Sequence, residues 1–416
     1  MTACHDVIVL GAGIAGVSAG LALQARGRSV LIVDRTSAGR ETSYGNSGII
    51  QSEAVEPYAM PRGVRALASL ALGRSNDVRY RLSSLHSHVG PLRQYWQHSA
   101  PAPYQRAIDG QSSIIVRAAA EHQALIQRAG CEALVRREGY RVFHRTQAAL
   151  DETAATAARV HERFGVGYRL LTAAELRGAE PALREAGVGA IQWTDPWSVR
   201  DPGALVAAYA ALFVQAGGGS MHGDAQSLVR KGAGWQVTTV DGAVEAAEVV
   251  VCLGPWTTQF MRGFGSNFPM VRKRGYHAHY AGGPGLNLPL LDPVFGYVMA
   301  PMVKGVRITT GAELTGAESP PTPIQLRQAE RAARGLIDLG TVVPDDLWVG
   351  TRPCMPDMRP VIGRASGQKG LWLDFGHGHQ GFTLGPVTGR LLAELMTGEA
   401  PIVDPAPFAP DRYDRR

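Results

Sequence analysis

Cysteine is scarce in this sequence, and none of the spacings between its cysteines matches a metal site. So few cysteines argue against a disulfide framework and suit a reducing compartment, so we expect a cytoplasmic protein. No apolar run approaches the ~20 residues that span a bilayer, and the run at residues 7–10 enters a glycine turn, so we expect no secretory signal. The cysteines are Cys4, Cys131, Cys252 and Cys354.

Lysine is almost absent as well. It occurs four times, so nearly all of the 42 basic residues are arginine. Their excess over 36 acidic residues gives a net charge of +6, but no basic run is dense enough to indicate nucleic-acid binding. Arginine suits bidentate recognition of carboxylate or phosphate, although most of these arginines simply solvate the surface. A chain of 416 residues with ordinary hydrophobic content suggests a globular protein of two domains.

The N-terminal part reads as strand, tight turn, helix, strand and acid. His5–Leu10 is apolar, Gly11–Gly16 is Gly-Ala-Gly-Ile-Ala-Gly, and a second apolar run ends on Asp34. In a dinucleotide-binding fold the first glycine permits the turn, the second lets the backbone approach a pyrophosphate, and the third allows close helix packing. The helix N-terminus offers N–H groups to the phosphates, and the acid binds a ribose diol. We therefore expect a site for FAD or NAD rather than a plain glycine turn.

Residues 36–50 form a polar, glycine-rich stretch with no helical or strand period. Such a loop beside a nucleotide site often binds it, and an ordinary surface loop is the alternative. With the turn and Asp34-Arg35, the pattern Glu41-Thr42-Ser43…Asn46-Ser47-Gly48 resembles the FAD-dependent amino-acid oxidoreductases. That superfamily includes D-amino-acid oxidase, glycine and sarcosine oxidases and bacterial D-amino-acid dehydrogenase, and the pattern is most similar to the dehydrogenase branch. The resemblance implies that this loop reaches the flavin ring.

The resemblance implies an α/β fold, α+β overall, in which a Rossmann-like FAD-binding domain carries an inserted substrate domain built on a mostly antiparallel sheet. Helical periodicity at 79–99, 112–129 and 146–164 interrupts the nucleotide-binding pattern, with Pro101 and Pro103 breaking the first two helices apart. Asp201 is expected to cap a helix that has Pro202 at its first position. The expected FAD-binding segments are 1–75, 185–260 and 345–416, and the substrate-domain segments are 76–184 and 261–344.

The stretch 350–363 resembles the family's Gly-x-Arg-Pro…Pro-Asp…Pro-x-Ile-Gly pattern. The resemblance implies that Arg352 holds the substrate carboxylate above the flavin, where a guanidinium fork makes two parallel hydrogen bonds. A structural loop arginine is the alternative. Tyr276, in a basic-Gly-Tyr step like that of the dehydrogenase branch, and Tyr297 are candidate pocket hydroxyls, with aromatic packing as the alternative.

Residues 376–383, Gly-His-Gly-His-Gln-Gly-Phe-Thr, resemble the family's flavin loop and lead into a helix. Exposed N–H groups and a helix N-terminus there would stabilise the negative charge of reduced flavin. His377 and His379 lack a neighbouring carboxylate run, so we expect no metal, and His379 stands where relatives often carry a small residue, so it could shape the pocket. Cys354 does not match the spacing of covalent attachment, so we expect non-covalent FAD.

These patterns give two sets of expected site residues. Gly254, which follows an apolar strand, joins the cofactor set, although an ordinary buried strand is the alternative. The substrate set is Arg352, Tyr276, Tyr297 and His379. The cofactor set is Gly11, Gly13, Ile14, Ala15, Gly16, Asp34, Arg35, Thr42, Ser43, Asn46, Gly48, Ile49, Gly254, Gly376, Gly378, Gln380, Gly381, Phe382 and Thr383.

The activity implied is FAD-dependent dehydrogenation of D-amino acids, with D-proline and cis-4-hydroxy-D-proline as cyclic candidates. Hydride would pass from the substrate Cα to flavin N5, and electrons would then pass to a quinone, another carrier or oxygen. The alternatives are an oxygen-using glycine or sarcosine-type oxidase, a flavoprotein subunit of a larger electron-transfer complex, and an NAD-linked dehydrogenase. Homo- or hetero-oligomers, and peripheral contact with the cytoplasmic face of the inner membrane, stay open.

Overall fold

The computed structural model describes residues 4–63, 78–80, 82–316 and 319–414. The expected segment boundary at residues 75 and 76 lies outside them. None of the helices in these ranges is both long and apolar enough to cross a membrane. The helices are α1 (Ile14–Gln24), α2 (Leu82–His98), α3 (Pro101–Ala129), α4 (Gln147–Phe164), α5 (Ala173–Ala179), α6 (Pro202–Gln215), α7 (Thr257–Arg262), α8 (Ile324–Leu336) and α9 (Gly381–Thr397).

The strands form two large sheets and one small one. They are β1 (Cys4–Leu10), β2 (Val30–Asp34), β3 (Ile49–Ile50), β4 (Val78–Tyr80), β5 (Val135–Arg136), β6 (Tyr140–His144), β7 (Tyr168–Thr172), β8 (Gly189–Trp193), β9 (Trp197–Val199), β10 (Gly219–Lys231), β11 (Gly234–Thr239), β12 (Gly242–Val251), β13 (Val271–Gly282), β14 (Leu290–Asp292), β15 (Tyr297–Met302), β16 (Gly305–Thr310), β17 (Ala312–Leu314), β18 (Gly340–Val342), β19 (Trp348–Cys354), β20 (Val361–Arg364) and β21 (Leu371–Phe375).

The first sheet has seven strands, β1, β2, β10, β11, β12, β21 and β20. Strand β1 lies between β2 and β12 and runs parallel to both, so that Val9 is opposite Ile32 on one side and Val250 on the other. Helices cover this sheet, which is why the residues of β1 from Val7 to Leu10 are fully buried. Helices α1 and α9 pack closely there, because a Cβ at Gly389 would lie 2.6 Å from the nitrogen of Ala19.

The second sheet has eleven strands in the described residues. Its long central strand β13 pairs with β16, β17, β18 and β19, all antiparallel. Two of its pairings are parallel, β14 with β6 and β17 with β4. The expectation of a mostly antiparallel second sheet is therefore confirmed. Its own core contains Tyr280 and Met299 and is closed by Leu326 and Leu336 from α8.

The structure confirms some local expectations and corrects others. The cap of α6 is confirmed, because Asp201 Oδ1 accepts a hydrogen bond from the nitrogen of Ala204 at 2.9 Å. The separation of the first two helices before Pro101 is confirmed, because α2 ends at His98. The second helix, α3, begins at Pro101 and not at residue 112, since Pro101 and Pro103 lie in its first turn, where a missing N–H costs nothing. Strands β8 and β19, which the sequence places in FAD-binding segments, pair in the second sheet. Strand β10 is missed because its residues are mostly polar or partly exposed.

Candidate active site

A cavity of ≈1020 Å³ is lined by residues from both large sheets. One part of its wall comes from the turn after β1, the end of β2 and the loop after β12. Another part comes from β13, β17 and β19 of the second sheet. This volume is at the upper end of the range for small-molecule sites, about 300–1,000 Å³. The cavity therefore joins the predicted nucleotide cradle to the predicted substrate pocket.

Two glycines of the turn after β1, Gly11 and Gly16, have no space for a side chain. Gly11 has φ +108°, and a Cβ there would lie 2.5 Å from the carbonyl oxygen of Cys252. A Cβ at Gly16 would lie 1.9 Å from the carbonyl oxygen of Gly11. Asp34 Oδ2 accepts a hydrogen bond from the nitrogen of Ala12 at 2.6 Å, which fixes the acid beside the turn. Asp34 Oδ1 also accepts from the nitrogen of Thr36 at 2.9 Å and from Thr36 Oγ1 at 3.3 Å, so about one of the four acceptor positions of the carboxylate is left for a ribose hydroxyl.

The neighbouring residues complete this end of the cavity. Ser43 Oγ accepts a hydrogen bond from the nitrogen of Ile14 at 3.0 Å, so the loop after β2 is fastened to the start of α1. The guanidinium of Arg35 lies 4.3 Å from the ring centre of Trp256 and forms an ion pair with Glu41 at 2.7 Å. The cavity wall includes all five of these residues, Ile14, Arg35, Glu41, Ser43 and Trp256.

The loop at residues 42–49 is held from several sides. Thr42 Oγ1 donates to the carbonyl oxygen of Thr351 at 3.3 Å, and Asn46 Oδ1 accepts from the nitrogen of Gly48 at 2.7 Å. The buried Arg307 donates from Nη1 to the carbonyl oxygens of Tyr44 at 2.9 Å and of Asn46 at 2.6 Å. The loop is therefore a fixed part of the cavity wall and not an ordinary surface loop.

The loop before α9 packs against the same segment. Thr383 Oγ1 accepts from the nitrogen of Gln51 at 3.1 Å, and Gln380 Nε2 donates to Gln51 Oε1 at 3.0 Å. The nitrogen of Gly378 donates to the carbonyl oxygen of Pro353 at 2.9 Å, which joins this loop to β19. The first residues of α9, Gly381 and Phe382, lie on the wall, so the positive end of the helix dipole faces the cavity.

Arg352 lies on the cavity wall and is held rigidly. Its Nη1 donates to the carbonyl oxygen of Gly311 at 2.9 Å, and its Nη2 donates to that of Thr310 at 2.8 Å. A Cβ on Gly275 would lie 2.6 Å from Nη1, so only glycine leaves room for this guanidinium. Two of the five N–H donors are engaged by these carbonyls, and the remaining ones are available to a carboxylate.

The groups around Arg352 are uncharged except for Lys273. Burial raises the pKa of the Tyr95 phenol and of the Cys354 thiol. Burial, reinforced by the positive charges of Lys273 and Arg352, lowers the pKa of His379 well below its usual range. This part of the cavity therefore combines two cations with neutral neighbours.

Most of the predicted residues lie on the cavity wall. Tyr297 and His379 are among them, but Tyr276 is not, because its hydroxyl is bonded to Glu313 and accepts from the nitrogen of Thr322 at 2.9 Å. The predicted residues found on the wall are Gly11, Gly13, Ile14, Ala15, Asp34, Arg35, Thr42, Ser43, Asn46, Ile49, Gly254, Tyr297, Arg352, Gly378, His379, Gly381 and Phe382. The predicted residues behind it are Gly16, Gly48, Tyr276, Gly376, Gln380 and Thr383.

The wall residues that the sequence reasoning missed include Tyr58, Tyr95 and Lys273. The ring of Tyr58 lies 5.3 Å from that of His379, and the ammonium of Lys273 lies 4.8 Å from the ring centre of Tyr95. Because lysine is so rare in this chain, a lysine within a predicted strand is unusual, and this rarity is a signal that could have identified Lys273. The two tyrosines carry no signal of that kind.

One group of side chains in the described residues has the spacing of metal ligands, His277, His279 and Asp346, whose ligand atoms lie within 4.8 Å of one another. Arg307 Nε donates to His279 Nε2 at 2.9 Å, and His279 Nδ1 is bonded to Asp346. Lys304 also forms an ion pair with Asp346 at 2.8 Å. Both nitrogens of His279 are thus occupied and two cations stand beside the group, which disfavours a metal ion.

The wall fits FAD on its own geometry. Gly11 and Gly13 leave the backbone bare on the cavity wall where a pyrophosphate would approach, and the N-termini of α1 and α9 both face the cavity. Gly13 would bring a Cβ no closer than 3.4 Å to any protein atom except its own neighbours, so its missing side chain opens space toward the cavity. These features would hold the adenosine and pyrophosphate of FAD at one end of the cavity and its flavin ring at the other.

Comparisons with known proteins agree with this geometry. A family model described as FAD dependent oxidoreductase matches residues 6–395. A D-amino-acid oxidase of Bradyrhizobium diazoefficiens is 28% identical over 423 residues, 98% of this chain and 99% of that protein. A D-amino acid dehydrogenase of Methylobacterium sp. is 30% identical over 441 residues, 98% of this chain and 99% of that protein. The structure of glycine oxidase from Geobacillus kaustophilus shares the fold, with a TM-score of 0.73 at 21% identity over 100% of both chains.

Proposed function

Because the chain belongs to the family of FAD-dependent oxidoreductases, we propose that it oxidises D-amino acids as a dehydrogenase. One observation carries the proposal: Arg352 stands with free N–H donors on the wall of the cavity that contains the dinucleotide cradle. The names of the relatives, D-amino-acid oxidase and D-amino acid dehydrogenase, support the same substrate class. In this proposal the first sheet belongs to the FAD-binding domain and the second to the substrate domain.

Arg352 binds and orients the substrate carboxylate. Its guanidinium is already fixed by the carbonyls of Thr310 and Gly311, so little side-chain entropy is lost when a carboxylate adds two more hydrogen bonds. A carboxylate held by a planar fork also fixes the direction of the neighbouring Cα–H bond, which is orientation catalysis. FAD, when bound, supplies the two-electron acceptor for the reaction.

The surroundings select the neutral form of the substrate amine. Lys273 and Arg352 are both positive, and like charges at short distance disfavour an ammonium group. The substrate then loses hydride from Cα and a proton from nitrogen, which leaves an imino acid. Water converts the imino acid to a 2-oxo acid and ammonia, whereas a cyclic substrate such as D-proline or cis-4-hydroxy-D-proline leaves a ring imine. Tyr297 and His379 line the wall as neutral groups that shape the pocket.

The proposal includes non-covalent FAD and a carrier as final electron acceptor. Cys354 is buried with a raised pKa, so its thiol is a weak nucleophile. We propose that a quinone or another carrier accepts the electrons at the cytoplasmic face of the inner membrane. Oxygen is the alternative acceptor, and an assay in air detects its consumption.

The proposal is tested by steady-state turnover with an artificial electron acceptor. D- and L-amino acids, including D-proline and cis-4-hydroxy-D-proline, are compared by release of 2-oxo acid or ring imine. We expect turnover with D-enantiomers only. Arg352→Lys should retain the flavin and lower kcat/KM at least tenfold, because an ammonium cannot form the fork. Arg327→Lys, on the exposed face of α8, is the matched control. Equal kcat/KM in both variants would remove the carboxylate role.

A further inference from the structure

Two basic side chains stand next to each other on the cavity wall. Lys273 of β13 and Arg352 of β19 are directly opposed in an antiparallel pair. Opposed residues of such a pair project their side chains to the same face of the sheet. Both line the cavity, as does Gly275, two positions along β13 from Lys273, whereas Arg274 points to the other face and donates to the carbonyl oxygen of Ser319 at 2.8 Å.

Neither cation is neutralised by an acid in the described part of the chain. No carboxylate there forms an ion pair with Lys273 or Arg352 within 4.0 Å, and the acids on the wall have other partners. Asp34 accepts from the nitrogen of Ala12, Glu41 pairs with Arg35, and Asp224 accepts from the nitrogen of Gln226. The groups beside the two cations are Tyr95, Cys354 and His379, whose shifted pKa values keep them neutral.

Lys304 provides a contrast with Lys273. Lys304 is half exposed, yet it forms an ion pair with Asp346 at 2.8 Å. Lys273 is less accessible, and its ammonium lies 4.8 Å from the ring centre of Tyr95 with no carboxylate partner among the described residues. Two positive charges brought together away from water repel each other, and a bound anion of matching charge removes that cost. A single carboxylate neutralises only one of the two positive charges.

We infer that the substrate is an amino acid with a second carboxylate, which Lys273 binds while Arg352 binds the α-carboxylate. The inference rests on the proposed function and deepens it by naming the substrate class. The second carboxylate belongs to an acidic side chain, as in D-aspartate and D-glutamate, or to an N-carboxymethyl group, as in iminodiacetate. A dianion satisfies both cations at once, and Tyr58 and Tyr95 flank it with neutral surface.

The test compares substrates of equal shape and different charge. kcat/KM is measured for D-glutamate against D-glutamine and for D-aspartate against D-asparagine, with iminodiacetate as the N-substituted case. We expect the wild-type protein to prefer the acidic member of each pair. Lys273→Met should reduce the ratio of kcat/KM for D-glutamate to kcat/KM for D-glutamine roughly 10- to 100-fold, the effect of losing a charged hydrogen bond. Lys273→Arg should retain most of the preference, and Lys369→Met, on the surface, is the control.

A second measurement uses the wild-type protein alone, in case Lys273→Met fails to fold. Glutarate and butyrate are titrated against the flavin absorption spectrum, and glutarate should perturb it at the lower concentration. The inference is overturned when the neutral amide substrates are preferred, or when Lys273→Met slows acidic and neutral substrates equally, because Lys273 would then serve the cofactor or the fold. Absence of turnover with every amino acid would instead refute the proposed function.

Discussion

Glu53 provides a prediction about stability that depends on one buried carboxyl group. It lies behind the cavity, where Oε1 accepts from Tyr140 Oη at 3.0 Å and from Gln51 Nε2 at 2.6 Å, while Oε2 has no partner among the described residues. Burial raises the pKa of Glu53 from 4.5 to about 7. Glu53→Gln retains the shape and the acceptor oxygen but cannot ionise. We expect this variant to be more stable than the wild type at pH 8 and equally stable at pH 5.

The sign and size follow from proton linkage. The folded protein keeps the Glu53 proton up to pH about 7, whereas the unfolded chain releases it near 4.5. Between these values the folded state binds more protons, so stability falls as pH rises and the full cost is present above pH 7. At about 1.4 kcal/mol for each pH unit between the two pKa values, the cost at pH 8 is about 3 kcal/mol.

Urea unfolding with saturating FAD, followed at pH 5 and pH 8, measures this difference. The free energy of unfolding of Glu53→Gln should exceed that of the wild type at pH 8 and approach it at pH 5. Glu162→Gln, on the exposed face of α4, controls for the loss of one negative charge. The reasoning is refuted if the difference between Glu53→Gln and the wild type is the same at both pH values.

Three further predictions concern the cofactor cradle and its supports. Gly16→Ala should abolish FAD binding, because its Cβ would lie 1.9 Å from a backbone oxygen, and the flavin absorption of the purified variant checks this. Burial lowers the pKa of His122 to about 4, so stability should fall by about 3 kcal/mol as pH drops from 6.5 to 4, and His122→Gln should flatten that slope in urea titrations. Arg307→Met should weaken FAD binding by at least about tenfold in equilibrium titration, since it frees the carbonyl oxygens of Tyr44 and Asn46 in the loop at residues 42–49. Unchanged FAD affinity in that variant would show that the loop keeps its shape without Arg307.

The glycine turn could be predicted from local spacing, and Arg352, which lies on the cavity wall, from the resemblance of its motif to that of the family. The turn requires a strand before it and a helix after it, and three glycines at fixed intervals show this in a single segment. Arg352 is carried by a contiguous motif of the same kind. The geometry of the turn depends on neighbours in sequence, whereas the guanidinium of Arg352 is held by the distant carbonyls of Thr310 and Gly311.

The face of β13 could not be predicted, although the strand itself was. The basic-Gly-Tyr step directs attention to Arg274 and Tyr276, but strand residues alternate between faces, and the structure puts Lys273 and Gly275 on the cavity side. Which face is inward depends on the pairing with β19, a contact between residues about 80 positions apart that no local pattern records. The same dependence on distant pairing moves β8 and β19 into the second sheet.

The central claim is that Arg352 binds the carboxylate of a D-amino acid and so holds the substrate beside the flavin. Its most direct test is the visible spectrum of the purified protein without oxygen, before and after addition of single D- and L-amino acids. We expect the flavin band to bleach with D-amino acids alone, and to bleach much more slowly in Arg352→Lys. A flavin band that persists with every D-amino acid, or that bleaches equally with both enantiomers, would contradict the account.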